Sequence, residues 1–272
     1  HLLALKLLHN VDSFSYEQAI DLKKVTLKMN ASPMLLGCVG RNFTLKENHV
    51  YERFDVPTMN PETFENTLDN ICPVFYSKKG KTVSHILSDK MRQMRSSGKM
   101  SLEDLSRATG VSKKTLFMGE KYSKMSTEVV LKIEEYFSES ITAPIDVFSW
   151  RTPAETTERE NAGDTERKAM NYFSKTGFDC IYLKTAPIKI INTFEDKLIL
   201  STILTGHKND RPINDLKNMS EVSLNDKMVI RLKGNEKNID GVASVRLDEL
   251  KSVDSCKELF ELIYERESCG DC

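Results

Sequence analysis

The spacing of helix starts and stops between residues 101 and 112 constrains the fold of this chain more than any other feature of its sequence. Ser101 is a preferred helix cap, and Asp104 three residues later carries a charge that favours a helix N-terminus. Gly110 can take the left-handed conformation that ends a helix, and Ser112 can cap the helix that follows. The spacing therefore predicts two short helices joined by a tight turn.

Two further helices are predicted on either side of this pair. Residues 86–97 have the period of an amphipathic helix that Gly98 ends, and a fourth helix starts at Ser126. The side chains expected to face inward are Ile86, Leu87, Met91, Met94, Leu116, Val129, Val130, Ile133 and Phe137. Together the four helices form a predicted helix-turn-helix module between about Ser84 and Phe137.

The third helix has the composition of a helix that contacts DNA. Lys113, Lys114 and Thr115 occupy its first turn, and the N-terminal side chains of a helix in the major groove reach base edges. Helix N-termini also bind phosphates through free N–H groups, and lysines add contacts that release counterions. Across the second and third helices, the predicted DNA-contacting residues are Ser101, Leu102, Ser112, Lys113, Lys114, Thr115, Phe117, Met118 and Lys121.

Charge is unevenly distributed along the chain. The formal net charge is −1, but residues 78–124 contain 12 Lys and Arg against 4 Asp and Glu, a local net of +8. Such asymmetry favours a module that binds a polyanion, with double-stranded DNA as the expected partner. A basic surface that is merely solvated explains the charge equally well when charge is considered alone.

An α/β domain is predicted before the helical module, over residues 1–72. Residues 2–8 form an apolar run typical of a strand buried on both faces, and Ser15 begins a helix with Gln18 completing a capping box. A second apolar strand follows at residues 33–39. Strand, helix and strand at this spacing indicate a parallel crossover unit. Because the chain opens on a strand, we expect a segment upstream of it.

A second α/β domain is predicted over residues 169–267, after a hairpin and helix-turn-helix domain at 73–148 and a linker at 149–168. Its order of strands and helices repeats that of the first seventy residues, beginning with the apolar strand 197–205. The predicted fold class is therefore α/β plus all-α, with a helix-turn-helix between two related α/β domains.

The sequence resembles known proteins over nearly its whole length. SLEDLSRATGVSKKTL, followed by Glu120, resembles the Cro and lambda-repressor class of helix-turn-helix. LLALKLLHNVDSFS, ASPMLLG, VYERFDVPTMNPET and API, in that order, resemble an archaeal group of helix-turn-helix transcriptional regulators. The resemblance implies a transcription factor with α/β domains on either side of its helix-turn-helix.

The predicted recognition helix departs from the usual repressor pattern. Phe117, Met118 and Gly119 occupy positions that are commonly polar or basic, and Leu102 replaces a frequent glutamine. Glycine inside a helix costs about 1 kcal/mol relative to alanine. These departures leave fewer side chains that hydrogen-bond to bases, so they bear on sequence specificity more than on affinity. Phe117 either contacts a thymine methyl or packs against the protein.

The flanking strands and helices also resemble the restriction-endonuclease-like fold, whose active site uses an Asp and a Glu-x-Lys on adjacent strands. In Ala4-Leu5-Lys6 the lysine is present, but alanine stands where the metal-binding acid belongs. The equivalent stretch of the second domain, residues 199–202, has neither acid nor lysine. Carboxylates are the ligands that divalent magnesium needs. We therefore expect an inactive nuclease-like domain and no enzyme activity.

Other features indicate a cytoplasmic protein without a metal or cofactor. The cysteines are too sparse for a disulfide framework, and no apolar run reaches the roughly 18 residues that span a membrane. Cys269 and Cys272 form either half of a zinc site or a solvated tail, and no second half is present in the sequence.

Repressors of this class bind as dimers, which predicts a homodimer formed by the α/β domains. A protein-interaction scaffold that has lost DNA contact is the alternative.

Overall fold

The computed structural model of the chain describes residues 2–78, 80–152, 162–204 and 210–268. The fold is mixed α/β, and no helix in these ranges is long and apolar enough to cross a membrane. The described residues fall into two compact units. The central unit contains Leu5–Phe14 and Ser32–Thr152, and the terminal unit contains the described residues of His1–Ala4, Ser15–Ala31 and Pro153–Cys272.

The first seventy residues form mainly strands. Their elements are β1 Leu3–Leu7, α1 Tyr16–Lys28, β2 Ser32–Leu36, β3 Val39–Gly40, β4 Phe43–Thr44, β5 His49–Arg53, β6 Val56–Met59 and α2 Pro61–Leu68. The helix starts follow the predicted rules. Ser15 and Gln18 form the expected capping box of α1, and Asn60 caps α2, whose first residue is Pro61.

A hairpin and four helices follow. The elements are β7 Phe75–Lys78, β8 Lys81–His85, α3 Ser88–Ser97, α4 Leu102–Thr109, α5 Lys113–Tyr122, β9 Lys124–Ser126 and α6 Thr127–Phe137. Their buried core contains Ile86, Met91, Leu105, Val111, Leu116, Met125, Val130, Ile133 and Ile141. Leu87, predicted to face inward, is exposed because it precedes the first turn of α3.

One sheet joins the hairpin to the strands of the preceding α/β segment. Its strand order is β1-β2-β6-β5-β7-β8-β9, with β5 parallel to β7 and β8 antiparallel to β9. The strand β9 lies directly between α5 and α6. The helical module is therefore built onto the edge of the sheet, at the end opposite β1.

The first strand differs from its prediction. The apolar run at residues 2–8 was expected to be buried on both faces, yet Leu5 and Leu7 are 43% and 68% exposed. The reason is position, because β1 is the edge strand of the seven-stranded sheet. An apolar run alone does not distinguish a central strand from an edge strand.

The terminal unit contains a second sheet covered on both faces. Its elements are α7 Asp164–Lys175, β10 Asp179–Tyr182, β11 Ile190–Phe194, β12 Lys197–Leu204, α8 Asp210–Ser223, β13 Asp226–Arg231, β14 Asn238–Ile239, β15 Val242–Arg246, α9 Leu247–Leu250 and α10 Cys256–Ser268. The strand order is β10-β11-β12-β13-β15-β14. One apolar cluster includes Phe173 of α7 and Phe260 of α10, and the other includes Ile213 of α8 and Val25 of α1.

The two sheets share an order of strands. β1-β2-β6-β5 in one corresponds to β12-β13-β15-β14 in the other. In both, the second strand is parallel to the third and the third is antiparallel to the fourth. This agreement in order and direction is what an internal repeat of the α/β segment predicts.

Helix α1 packs within the terminal unit, although the sequence pattern predicts a single domain over residues 1–72. Asp21 is 4% exposed and its carboxylate accepts hydrogen bonds from the Lys184 backbone N–H, at 3.1 Å, and from the Thr185 hydroxyl, at 2.7 Å. Lys28 also pairs with Asp179. These polar contacts are absent from any local sequence pattern, because they join residues about 150 or more positions apart.

The predicted linker and tail are described only in part. Residues 153–161 of the predicted linker 149–168 lie outside the described residues, and α7 already begins at Asp164. Cys269 and Cys272 also lie outside them.

Candidate nucleic-acid interface

The turn between α4 and α5 has the predicted backbone. Gly110 ends α4 in the left-handed conformation, with φ of 68°. The Ser101 hydroxyl accepts a hydrogen bond from Asp104 N–H at 3.1 Å, and the Ser112 hydroxyl accepts one from Thr115 N–H at 3.1 Å. Both caps therefore lie where the sequence spacing placed them.

A buried ion pair holds the end of α5 against α3. Arg95 donates to the Glu120 carboxylate through Nε, at 2.8 Å, and through a terminal nitrogen, at 3.2 Å. Arg95 also donates to the Met100 carbonyl at 2.9 Å, and its hydrogen bond to the Glu120 carboxylate raises the pKa of the guanidinium. The side chains are 17% and 9% exposed. A bidentate pair of this kind fixes the direction of α5.

Gly119 is explained by packing. A Cβ at this position would lie 1.9 Å from Cε of Met125, whose side chain fills the space over the helix. Met125 is buried in the core of the helical module and lies on β9. The departure from the repressor pattern at Gly119 therefore permits close contact between α5 and the strand that follows it. Gly119 is itself buried.

The exposed face of α5 is both basic and apolar. Lys114, Phe117, Met118 and Lys121 follow one another at the spacing of one helix face. All four are exposed, and Phe117 and Met118 have 51% and 40% of their surface accessible. Phe117 does not pack in the core of the helical module. Of the two alternatives, packing against the protein is therefore disfavoured, and the ring is available to contact a partner.

The first turn of α5 carries cations and hydroxyl groups. Lys113 is 61% exposed at its side chain, and its Nζ lies 3.5 Å from the Glu103 carboxylate. Ser112 is exposed, and its hydroxyl lies 2.8 Å from the hydroxyl of half-buried Thr115. No acidic residue lies in this turn. The partial positive charge of the helix N-terminus therefore adds to the lysine charges.

The first turn of α4 has the opposite charge. Glu103 and Asp104 lie in it, and hydrogen bonds from Ser101 hold the pKa of Asp104 below its ordinary value. A carboxylate at this position repels phosphate, so the N-terminus of α4 is a poorer phosphate site than that of α5. Exposed Ser101 is engaged with Asp104, and Leu102 packs against the core of the helical module.

Several other bases of the +8 segment are neutralised by neighbours. Lys78 pairs with Glu52, Lys90 with Glu139, and Arg107 with Asp104. Lys114 and Lys121 make no ion pair with any residue of the described ranges. Exposed Lys81, Lys99 and Lys124 also make no ion pair within the described ranges, so α5 carries part of the uncompensated positive charge and the rest lies elsewhere in the segment.

An apolar residue, Ala4, occupies the position where the restriction-endonuclease-like fold has its metal-binding acid, and its surroundings in the structure are apolar too. Ala4 packs beside the apolar cluster of the terminal unit. In the second α/β segment, residues 199–202 are buried, and Ser201 accepts a hydrogen bond from Asn192 at 2.9 Å. Among the described residues, no group of three or more His, Cys, Asp and Glu could hold a metal ion.

The sequence predicts the residues on the exposed face of α5 but not the residues that support this helix. The nine predicted contact residues lie on α4, α5 and their caps, and α5 brings Lys113, Lys114, Phe117, Met118 and Lys121 together. Arg95 and Met125, which hold α5 in place, were not identified as such. Glu120 enters the sequence pattern only through the family resemblance, and its partner Arg95 lies 25 positions earlier.

Comparison with known proteins gives long matches. Three archaeal relatives provisionally named HTH-type transcriptional regulatory proteins cover most of the chain. The relative from Pyrococcus horikoshii is 31% identical over 97% of this chain and 86% of its own length. The relative from Thermococcus kodakarensis is 30% identical over 96% of this chain and 83% of its own length. The relative from Methanocaldococcus jannaschii is 28% identical over 96% of this chain and 84% of its own length.

A family model covers the beginning of the chain. Residues 1–73 match the PD-(D/E)XK superfamily domain, which agrees with the predicted nuclease-like fold of that segment. No solved structure matches the chain.

Proposed function

The chain belongs to the archaeal family of HTH-type transcriptional regulatory proteins, and we propose that it is a cytoplasmic regulator that binds double-stranded DNA through α5. The observation that carries the proposal is the charge and exposure of this helix. Lys113, Lys114 and Lys121 are exposed on it, and its N-terminal turn contains no acid. This is the combination that a helix needs to enter the major groove and meet phosphates at its start.

The proposed docking is of the Cro and lambda-repressor type. The first turn of α5 lies at the groove, where Ser112, Lys113 and Lys114 meet phosphates while Phe117 reaches base edges. Phe117 supplies an apolar contact of the kind that a thymine methyl accepts. Lys121 lies at the far end of the same face, where it meets the backbone of the groove. Ser101, Leu102, Thr115 and Met118 complete the predicted contact set, with Leu102 acting through packing.

Dimerisation belongs to the same proposal. One short recognition helix contacts few base pairs, so two copies on half-sites about one DNA turn apart give the specificity that a regulator needs. A homodimer formed by the α/β segments would leave both copies of α5 free. Size-exclusion chromatography with light scattering on the full chain tests this state, and a monomer both alone and on DNA would remove it.

The nuclease-like segment is proposed to be structural. Relatives are named as regulators rather than enzymes, whereas the PD-(D/E)XK match leaves activity open. The alanine at position 4 packs against an apolar cluster, so the side chain that would bind magnesium in an active enzyme is replaced by a partly buried methyl group. Incubation of supercoiled DNA with the protein and Mg²⁺ is expected to leave the DNA intact, and cleavage lost on chelation would contradict this.

A protein-interaction scaffold is the second candidate. The exposure of Phe117 and Met118 on one helix face favours it, since exposed large apolar side chains also mark protein-binding surfaces. The two functions differ in one property. A scaffold requires no affinity of this face for DNA.

A fluorescence-anisotropy titration separates the two candidates. The full chain is titrated with labelled duplexes, one set random and one set selected from genomic DNA, at several salt concentrations. The proposed regulator is expected to prefer selected duplexes at least about a thousandfold, and its affinity is expected to fall steeply with salt. Absence of binding at low salt would support the scaffold instead.

A further inference from the structure

A cleft on the seven-stranded sheet has no role in the contacts proposed for DNA. Its volume is about 370 Å³, within the range of sites for small organic ligands. It lies wholly in the central unit, over β5, β6, β7 and β8. Because β8 pairs with β9, and β9 adjoins α5, the cleft shares a sheet with the support of the helical module.

The floor of the cleft is a row of hydroxyl groups. Thr58, Tyr51, Ser77 and Thr82 are register partners on four neighbouring strands. The Ser77 and Thr82 hydroxyls lie 2.8 Å apart, and the Tyr51 hydroxyl accepts a hydrogen bond from the Lys46 backbone N–H at 3.2 Å. Each hydroxyl both donates and accepts, so the row has capacity left for oxygen atoms of a ligand.

One wall of the cleft is aromatic. The rings of Phe43 and Tyr51 have centroids 5.7 Å apart, and those of His49 and Tyr51 are stacked at 6.0 Å. The Phe43 ring lies over Gly40, where a Cβ would come within 2.3 Å of it. Phe43 is nevertheless 48% exposed. The wall is therefore preformed and leaves a ring face open for stacking.

The rim supplies positive charge. Arg53 binds Asp12 through a terminal nitrogen at 2.7 Å, while its Nε is buried with no hydrogen-bond partner among the described residues. The Lys46 side chain is exposed and makes no ion pair with any described residue. The one acid in the lining, Glu52, is occupied by Lys78 and by the Tyr76 hydroxyl. Among the described lining residues, the Lys46 ammonium group is therefore the cation available to an anionic ligand.

We propose that this cleft binds a planar aromatic anion of about mononucleotide size, and that the bound ligand regulates DNA binding. The ring stacks on Phe43 and Tyr51, the anionic group meets the Lys46 ammonium group, and remaining oxygens meet the hydroxyl row. The regulatory part rests on the proposed function. Regulation is expected because the cleft and the helical module share a sheet. A ligand that fixes β7 and β8 also fixes the start of α3, which directly follows β8 in the chain.

Isothermal titration of the full chain tests the binding site with defined probes. Two sources of the same chemistry are compared, adenosine monophosphate and 1-naphthoate. Adenosine, which has the ring without the charge, and ribose 5-phosphate, which has the charge without the ring, are the controls. We expect one-to-one binding of at least one planar anion, at least about tenfold tighter than either control. Failure of both planar anions to bind would overturn the proposal.

Variants locate the binding to the cleft. Lys46→Gln and Phe43→Leu should each weaken binding about tenfold, whereas Phe43→Tyr keeps the ring and the affinity. If all three variants bind the probe as tightly as the wild-type chain does, the probe binds elsewhere and the assignment is overturned. Circular dichroism checks that each variant is folded.

DNA binding is measured in parallel. Lys114→Ala should weaken DNA binding and leave ligand affinity unchanged, and saturating ligand should shift the affinity of the wild-type chain for DNA. If the wild-type chain binds the ligand but never DNA, the proposed function fails while the ligand site stands. If it binds both with no mutual effect, the regulatory part is overturned.

Discussion

Helices α4 and α5 begin with the same kind of cap and then differ in charge. Ser101 and Ser112 each accept a backbone N–H at 3.1 Å. The next turn of α4 holds Glu103 and Asp104, whereas that of α5 holds two lysines. The cap is required by the helix itself, but the charge of the following residues is not. The two helices therefore begin with the same serine cap but present opposite charge at their N-termini, and of the two only the N-terminus of α5 attracts phosphate.

The two helices also differ in how they are held. Leu105 of α4 is buried in the apolar core, and so is Leu116 of α5. Only α5 is additionally tied by a buried ion pair, from Glu120 to Arg95 of α3. A helix that must present side chains at fixed positions benefits from a directional contact in addition to packing.

The largest expected effect comes from breaking this ion pair. Arg95→Met removes both hydrogen bonds to the buried Glu120 carboxylate and leaves it only the longer Arg92 contact, at 3.9 Å, so the free energy of unfolding should fall by about 3 kcal/mol. Urea unfolding measures it. The control is the double variant Arg95→Met with Glu120→Leu, which leaves no unpaired charge and should recover most of the loss. A loss below about 1 kcal/mol in the single variant would mean that packing alone fixes α5.

The next effect concerns the exposed apolar face of α5. Phe117→Ala should reduce the preference for selected over random duplexes about tenfold, because an apolar contact to a base carries sequence information and a phosphate contact does not. Competition titration measures the ratio. Leu131→Ala, on the similarly exposed surface of α6, is the matched control and should change nothing. Equal weakening on both kinds of duplex by Phe117→Ala would assign the ring to non-specific contact.

A smaller effect should follow from changing the charge of α4. Glu103→Gln removes the carboxylate 3.5 Å from Lys113 Nζ, which frees that lysine for phosphate. DNA affinity should rise about threefold at low salt, as expected for one exposed charge. Glu128→Gln removes a similar exposed partner, from Lys132 on α6, and should leave DNA affinity unchanged. A fall in affinity with Glu103→Gln would place α4 in the interface in a role that needs the acid.

The smallest effect concerns His85 on β8, the strand that pairs with β9. The pKa of His85 lies below its ordinary value of 6.5, first because the ring is partly buried and second because Lys124 is near. The unfolded chain then binds more protons below pH 6.5, so stability is full above that pH and declines as the pH falls towards the folded pKa. Unfolding at a series of pH values should show this decline in the wild-type chain and not in His85→Gln. The same decline in both would exclude His85 as its source.

Features set by a few neighbouring residues were predicted well. The capping box of α1, the left-handed Gly110 and the caps of α4 and α5 lie where the sequence placed them. Each depends on residues three or four positions apart, which the sequence displays directly. The face of α5 was predictable for the same reason.

Features set by distant residues were not predictable from local pattern. The exposure of Leu5 and Leu7 depends on which strand lies beside β1, and an apolar run does not contain that information. The role of Gly119 depends on Met125, and the orientation of α5 depends on Arg95. The packing of α1 within the terminal unit depends on Asp21 meeting a loop more than 160 positions later.

The central claim is that phosphates meet the first turn of α5, and the salt dependence of DNA binding tests it most directly. The logarithm of the affinity of the wild-type chain is plotted against the logarithm of salt concentration and compared with the double variant Lys113→Ala, Lys114→Ala. Lys132→Ala, on α6, controls for loss of charge as such. We predict a slope shallower by about 1.8 in the double variant, since each phosphate contact contributes about 0.9, and an unchanged slope in the control. An unchanged slope in the double variant would remove these lysines from the interface and contradict the account.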